Sequence, residues 1–172
     1  GISDSSKVVL YSIGTPMWAT RFWWMLTSLG YQNMAVLDGG LPAWQTAGGT
    51  LSIDLPTLNP SPAYPTQPPA LPTLNADQLQ ARLPKLRVID ARAPERYRGE
   101  VEPLDAVAGH IPGALNRFFK DNLQADGRFK PADQLRVEFA PLLDGRPVVH
   151  QCGSGVTACH NLLAMEVAGL NP

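Results

Sequence analysis

Cys152 lies where the chain could carry a reactive thiolate. It follows the β-branched residues 148–149, which predict a buried strand, and it precedes apolar residues at helical spacing over residues 158–169. Gly153 and Gly155 allow the backbone between strand and helix to curl, so that successive N–H groups point at one anion. The helix dipole adds positive potential at the same point. This pattern predicts that Cys152 is a nucleophile.

Other interpretations of this segment fit the spacing less well. A structural zinc site built from Cys152, Cys159 and His160 is excluded, because seven residues separate the two cysteines along a loop and a helix. A phosphatase loop needs an arginine six residues after the cysteine, and that position is Ala158. Cys159 is expected to be a small buried apolar residue, and the same structural role is the alternative for Cys152.

The composition excludes several classes of protein. The chain has 172 residues, 44% of them hydrophobic, and a net charge of −1, so it has no basic surface for nucleic acid. Arg21, His160 and Glu166 interrupt the longest apolar stretches, and the start of the chain does not show a signal-peptide pattern. Two cysteines cannot form a disulfide framework. We therefore expect a cytoplasmic protein without a nucleic-acid or membrane partner.

A proline-rich stretch separates two parts of the chain. Seven prolines lie between Pro56 and Pro72, among serine, threonine and asparagine residues. Such a stretch can form neither a helix nor a central strand. Residues 51–74 are therefore predicted to be an extended linker between residues 1–50 and residues 75–172.

The two parts contain an internal repeat. Residues 7–14, with the amphipathic segment that follows them, align with residues 147–155 about 140 positions later. Ser12 then falls opposite Cys152. The alignment predicts a duplicated α/β unit whose first copy keeps the strand, loop and helix but has lost the nucleophile.

Several stretches of the chain match the motifs of one known family. They are Val36-Leu-Asp-Gly-Gly-Leu-Pro-Ala-Trp44, Val88-Ile-Asp-Ala-Arg92, Glu95-Arg-Tyr-Arg-Gly99, Gly109-His-Ile-Pro-Gly-Ala114 and Cys152-Gly-Ser-Gly-Val-Thr-Ala158. With these motifs the chain resembles the rhodanese-like sulfurtransferases. Its cysteine loop is similar to that of the 3-mercaptopyruvate sulfurtransferases, whereas loops of thiosulfate-preferring rhodaneses usually carry basic residues directly after the cysteine.

The resemblance implies an α/β fold of two tandem rhodanese-like modules, each with a parallel sheet flanked by helices. Residues 1–50 correspond to the C-terminal half of an inactive module, so the first module is incomplete. Residues 75–172 correspond to a catalytic module without its last strand. We therefore expect the chain to be a fragment, and a naturally truncated product is the alternative.

The resemblance also implies the chemistry. Cys152 would accept sulfur from 3-mercaptopyruvate or thiosulfate as a persulfide and pass it to a thiol or cyanide, with no metal or organic cofactor. The N–H groups that stabilise the terminal sulfur would belong to Gly153, Ser154, Gly155, Val156 and Thr157. Ser154 would assist proton transfer, or it would only shape the turn. The alternative function is a catalytically silent rhodanese-like module that binds or regulates.

Two arginines are candidates for binding the acid group of the donor, because a planar guanidinium orients such a group better than a point charge does. Arg96 matches the substrate-contact arginine of the family, and Arg98 lies close by on the same loop. Glu95 replaces the glycine that usually precedes this arginine. A second arginine of the mercaptopyruvate enzymes falls on Leu104 or Asp105, which leaves the preferred donor open.

Four other polar residues near these motifs have expected roles. Asp90 ends a predicted strand, where its carboxylate would brace the cysteine loop through backbone N–H groups or would only cap a turn. His110 belongs to a Gly-His-Ile-Pro-Gly turn that is architectural in the family. His150 and His160 flank the cysteine, but strand alternation and helix rotation point both rings away from its thiol. Neither is expected to be the general base.

Overall fold

The computed structural model describes residues 2–3, 5–57 and 68–170, and the chain divides into two compact units, residues 1–72 and 73–172. The second unit begins within two residues of position 75, where the catalytic module is predicted to start. Residues 58–67 of the predicted linker lie outside the described residues.

The first unit contains a two-stranded parallel sheet. Its strands are β1, Val8–Leu10, and β2, Met34–Val36. Helix α1, Met17–Ser28, connects them, because the chain must return to the same end of the sheet before a parallel strand can start. Helix α2, Gly40–Thr46, follows β2. The buried core of this unit consists of Leu10, Ala19, Leu26 and Tyr31.

Ser12, the residue opposite Cys152 in the repeat, is held in the loop between β1 and α1. Its Oγ accepts a hydrogen bond from the N–H of Ala19 at 3.2 Å, and its carbonyl oxygen accepts one from Leu41 at 3.0 Å. The approach of α2 to this carbonyl requires Gly40, which has a φ of 59° and whose Cβ would lie 2.4 Å from the oxygen.

The second unit is built on a parallel sheet in the order β4, β3, β5. Its strands are β3, Arg87–Asp90, β4, Leu115–Asn116, and β5, Val148–Gln151. Because all three strands run in the same direction, their carboxyl ends meet at one edge. In open α/β sheets, ligands bind outside this edge.

Helices alternate with these strands along the second unit. They are α3, Ala76–Arg82, α4, Pro94–Tyr97, α5, Ala132–Phe139, and α6, Val156–Val167. Short 3-10 turns occur at Leu83–Lys85, Phe119–Asn122 and Ala140–Leu142. The sequence predicts an α/β protein with parallel strands, and this class is confirmed. Within the described ranges, no helix has both the length and the apolar character needed to cross a membrane.

Helix α6, which follows the cysteine loop, is anchored by apolar and polar contacts. It packs against α5 through a buried cluster that consists of Leu135, Phe139, Ala164, Met165 and Ala168. The Asn161 side chain donates to the carbonyl of Arg117 at 2.9 Å and accepts from the Asn122 side chain at 2.7 Å. Both asparagines are fully buried, where an unpaired amide would destabilise the fold. These contacts fix the helix whose N-terminus faces Cys152.

Candidate active site

Cys152 directly follows the carboxyl end of β5 and precedes α6 by a short loop, residues 152–155. The predicted arrangement of strand, cysteine loop and helix is confirmed, although the helix starts at Val156 rather than at residue 158. The Sγ atom of Cys152 accepts a hydrogen bond from the N–H of Gly155 at 3.0 Å. The residue is partly exposed, so its sulfur is both supported by the backbone and reachable from solvent.

Gly155 gives the cysteine loop its turn. This residue is the N-cap of α6 and has a φ of 77°, in the left-handed region that favours glycine. The N–H groups of Val156 and Thr157 belong to the first turn of the helix, where they have no partner within the helix. Together with the helix dipole, these groups form an anion-binding terminus beside Cys152.

Ser154 is exposed. Among the described residues it has no hydrogen-bond partner in the protein, so its hydroxyl is available to a bound molecule. Cys159, in contrast, is 2% exposed, and its Sγ donates to the carbonyl of Gly155 at 3.1 Å. Cys159 therefore occupies the structural position that the sequence predicts.

Arg96 lies in α4 and approaches the cysteine loop. Its Nη1 and Nη2 atoms are each 3.8 Å from the point at which a Cβ on Gly153 would stand. Its Nε and Nη2 donate to the carboxylate of Glu102 at 3.3 and 2.6 Å. Nη2 also donates to Asp105 at 3.2 Å. The guanidinium is thus held by carboxylates while one side of it faces the loop.

Glu102 is the residue of this site that sequence reasoning missed. Its side chain is 5% exposed and accepts hydrogen bonds from Arg96, from Arg92 Nη1 at 3.3 Å, and from the N–H groups of Leu104 and Asp105 at 3.0 and 3.1 Å. The hydrogen bond from Arg96, aided by the two backbone N–H groups, outweighs burial and lowers the pKa of Glu102 to about 2. Neighbouring arginines in the sequence were the available signal, since buried arginines need carboxylate partners.

Asp90 does not brace the cysteine loop. Its fully buried carboxylate accepts hydrogen bonds from the N–H of Arg92 at 2.9 Å and from the Arg92 guanidinium at 2.8 Å. Asp90 therefore caps the turn after β3, the second of its two expected roles. The Arg92 guanidinium also donates to the carbonyl of Gly109 at 2.6 Å. The hydrogen bond from Asp90 raises the pKa of Arg92 above its ordinary value.

Arg98 is not brought to the cysteine loop. Its side chain is 53% exposed and pairs with Glu100, with Nε donating at 2.6 Å. This pairing differs from the sequence expectation, because Arg98 follows the end of α4 and its guanidinium binds the neighbouring Glu100. Leu104, at the expected position of a second arginine, is 78% exposed.

The three histidines are engaged elsewhere. His110 donates through Nδ1 to the carbonyl oxygen of Tyr97 at 2.7 Å, and its ring stacks on the Tyr97 ring with the centroids 3.8 Å apart. His160 is fully buried, with its Nδ1 3.2 Å from the side-chain nitrogen of Asn122. His150 Nε2 lies 3.0 Å from the sulfur of Met165. Burial lowers the pKa values of His150 and His160 to about 3, so both are neutral at pH 7.

Comparisons with known proteins find similar proteins over almost the whole chain. A family model described as rhodanese-like domain matches residues 2–47 and 75–171. A probable 3-mercaptopyruvate sulfurtransferase of Pseudomonas aeruginosa is 51% identical over 98% of the chain, and the human 3-mercaptopyruvate sulfurtransferase is 37% identical over 98%. The bovine thiosulfate sulfurtransferase is 34% identical over 98% of the chain. The chain spans 61%, 56% and 60% of the lengths of these relatives.

Solved structures resemble the chain over its whole length. The crystal structure of SseA from Escherichia coli, a 3-mercaptopyruvate sulfotransferase with the rhodanese fold, superposes with a TM-score of 0.80 at 29% identity. The match covers 99% of this chain and 65% of SseA. A sulfur transferase subunit of yeast mitochondrial complex I gives a TM-score of 0.87 at 27% identity, covering 100% of this chain and 65% of the subunit.

Proposed function

Since the chain belongs to the family of proteins with rhodanese-like domains, we propose that the protein is a sulfurtransferase whose nucleophile is Cys152. It takes sulfur from 3-mercaptopyruvate or thiosulfate and passes it to a thiol or cyanide acceptor. The observation that carries this proposal is the hydrogen bond from the N–H of Gly155 to Sγ of Cys152, at the N-terminus of α6. A sulfur at this position is stabilised as an anion both before and after it has accepted a second sulfur.

The reaction has two displacement steps. The Cys152 thiolate attacks the sulfur of 3-mercaptopyruvate, so that an S–S bond forms while the C–S bond breaks. The electron pair of the C–S bond goes to carbon, which receives the proton of the donor thiol, and pyruvate leaves. With thiosulfate the S–S bond of the donor breaks and sulfite leaves. The acceptor then attacks the outer sulfur of the persulfide, and the Cys152 thiolate is regenerated.

The loop supplies groups for both steps. The N–H groups of Gly153, Ser154, Gly155, Val156 and Thr157 stabilise the terminal sulfur of the persulfide. The exposed Ser154 hydroxyl carries the donor's thiol proton towards carbon, and the Thr157 hydroxyl donates to the same anion. Arg96 binds the acid group of the donor, because its Nη atoms lie beside Gly153, one residue from the nucleophile.

The surroundings of Arg96 favour 3-mercaptopyruvate over thiosulfate. The segment 90–105 contains five acidic residues and three basic ones, and Gly153 and Ser154 add no positive side chain. A donor with one negative charge is repelled less by such a segment than a donor with two. The preference is modest, because Leu104 stands where the mercaptopyruvate enzymes have a second arginine.

We also propose that residues 1–50 and 75–172 are parts of two tandem modules joined by the linker 51–74. The family model matches two separate segments, and both units contain a parallel strand, a loop and a twelve-residue helix. Ser12 stands in the first loop, where its Oγ accepts from the N–H of Ala19. A serine hydroxyl is a far weaker nucleophile than a thiolate, so the first module takes no part in the displacement.

The proposal is tested by mass spectrometry of protein treated with 3-mercaptopyruvate and, separately, with thiosulfate. We expect the protein to gain the mass of one sulfur atom on Cys152, and the adduct to disappear when cyanide is added. Cys152→Ser should abolish both sulfur uptake and turnover, while Cys159→Ser should retain most of the activity, because only Cys152 lies at the helix N-terminus. A protein that takes up no sulfur from either donor would instead be a silent binding module.

A further inference from the structure

The guanidinium of Arg96 presents two different edges, and its neighbours use them differently. Nε and Nη2 form one edge, which Glu102 accepts with both carboxylate oxygens at 3.3 and 2.6 Å. Nη1 and Nη2 form the other edge, which faces the cysteine loop at Gly153. A guanidinium binds a carboxylate best through two parallel N–H groups, so this second edge is the one on which a donor's acid group would lie.

Asp105 contacts Nη2, the nitrogen that the two edges share. Its Oδ2 accepts from Arg96 Nη2 at 3.2 Å, and among the described residues no hydrogen bond is made to Nη1. A donor that binds through both Nη atoms therefore competes with Asp105 for hydrogen bonding to Nη2.

The two carboxylates around Arg96 differ in how firmly they are held. Glu102 is 5% exposed and is also fixed by Arg92 and by two backbone N–H groups. The Asp105 side chain is 52% exposed and reaches Arg96 by a single contact of 3.2 Å. Exposed ion pairs of this kind contribute little free energy and exchange readily with other anions. Glu102 is the permanent partner of Arg96, and Asp105 is the replaceable one.

We propose that Asp105 is a specificity-determining residue that occupies the donor's acid position on Arg96 in the free protein. This inference rests on the proposed sulfurtransferase function. Donor binding replaces one carboxylate by another, so part of the attraction between Arg96 and the donor is lost in displacing Asp105. Asp105 thereby raises the KM for the donor. Its charge, left beside the bound donor, penalises a doubly charged donor more than a singly charged one.

The variant Asp105→Asn tests this inference. An amide keeps the shape of the side chain but binds a guanidinium more weakly than a carboxylate does. We expect the KM for 3-mercaptopyruvate to fall about two- to fivefold and the KM for thiosulfate to fall further, with kcat changed less than about twofold. An unchanged KM would overturn the inference, and a raised KM would show that Asp105 orients Arg96 instead of competing for it.

Glu100→Gln is the matched control. It removes one negative charge from the same segment, but Glu100 pairs with the exposed Arg98 rather than with Arg96. We expect both KM values to stay close to those of the wild type. If Glu100→Gln lowers them as much as Asp105→Asn does, the effect is general electrostatics, and the assignment of Asp105 to the donor position fails.

Alkylation of Cys152 separates this inference from the proposed function, because it needs no turnover. Iodoacetate carries a carboxylate and iodoacetamide does not, so the ratio of their rates reports whether Arg96 is open to an acid group. We expect Asp105→Asn to raise this ratio about two- to fivefold and Glu100→Gln to leave it unchanged. An unchanged ratio in Asp105→Asn refutes the role of Asp105. Absence of sulfur transfer in the wild-type protein refutes only the proposed function.

Discussion

Arg96, which we propose as the donor's binding partner, also holds Glu102. Its guanidinium binds the buried Glu102 through one edge and presents the other edge to the cysteine loop. A lysine at this position has a single charged centre, which cannot satisfy Glu102 and orient a donor at the same time.

We therefore expect Arg96→Lys to raise the KM for both donors and to lower kcat/KM by about tenfold or more. Steady-state kinetics with 3-mercaptopyruvate and thiosulfate measure the effect. Arg98→Lys is the control, because Arg98 is exposed and pairs with Glu100, and it should stay within about twofold of the wild type. Equal losses in the two variants would mean that Arg96 has no special role.

The individual partners of charged side chains were the least predictable part of the site. The surroundings of Cys152 could be predicted because a strand end, two glycines and a helix start are local in sequence. The partner of Asp90 is also close in sequence, but its choice between Arg92 and the cysteine loop depends on how β3 and β5 are aligned in the sheet. Glu102 was missed because its role depends on contacts with Arg92, with Arg96 in α4 and with the backbone at residues 104–105, which only the folded chain brings together.

At the scale of elements, the junction between β5 and α6 places a helix N-terminus and the N–H of Gly155 beside Cys152. The predicted strand and helix were placed correctly to within a few residues, since β-branched residues mark the strand and apolar residues at helical spacing mark the helix. The start of α6 was misplaced by two residues, because a glycine N-cap gives a weaker signal than serine, threonine or aspartate does.

The variant Gly155→Ala, which replaces the N-cap of α6, should distort the turn between β5 and α6. An alanine at a φ of 77° costs about 1–2 kcal/mol, and relaxation of the turn would move the N–H group that donates to Cys152. We expect the urea midpoint of the variant to fall. We also expect iodoacetamide to alkylate Cys152 roughly fivefold more slowly, which is the rate effect of losing one hydrogen bond to the thiolate.

Gly127→Ala is the control that distinguishes backbone strain from an effect on the reactivity of Cys152. Gly127 has a φ of 82° in a surface turn, with no atom within 4 Å of its added Cβ, and it lies in a different loop from Cys152. The backbone strain in Gly127→Ala should therefore be similar to that in Gly155→Ala. The alkylation rate of Cys152 in Gly127→Ala should remain that of the wild type. If Gly155→Ala lowers the stability without slowing alkylation, the N–H of Gly155 does not support the thiolate.

At the scale of the whole molecule, buried ionisable groups make the second unit sensitive to acid. His150 and His160 have pKa values of about 3, both lowered by burial, against about 6.5 in an unfolded chain. The unfolded state therefore binds more protons than the folded state between these values. The contribution of these two histidines to the free energy of unfolding is fully present above about pH 6.5 and is lost as the pH falls towards 3. Each histidine lowers the free energy of unfolding by up to about 1.4 kcal/mol per pH unit.

Glu138 adds to the loss at lower pH. Burial alone would raise the pKa of its carboxyl, but hydrogen bonds from Arg117, Lys130 and Gln134 outweigh burial and lower it to about 2. The contribution of Glu138 to the free energy of unfolding is present above the ordinary glutamate pKa and is lost as the pH falls through about 2.

We expect the urea midpoint, followed by circular dichroism, to fall between pH 7 and pH 5, where the histidines and not the carboxylates account for the change. His150→Leu should make this dependence shallower, because His150 Nδ1 has no hydrogen-bond partner among the described residues and leucine is not titratable. A dependence as steep as that of the wild type would show that His150 is not neutral and buried in the folded protein.

The division of the chain into residues 1–72 and 73–172 also separates its optical and chemical reporters. All four tryptophans, Trp18, Trp23, Trp24 and Trp44, belong to the first unit, so indole fluorescence follows that unit alone. The second unit carries its own reporter in Cys159, which becomes accessible to a thiol reagent only when α6 separates from its neighbours. In a Cys152→Ser background, fluorescence and thiol labelling would therefore time the opening of each unit independently within a single chain.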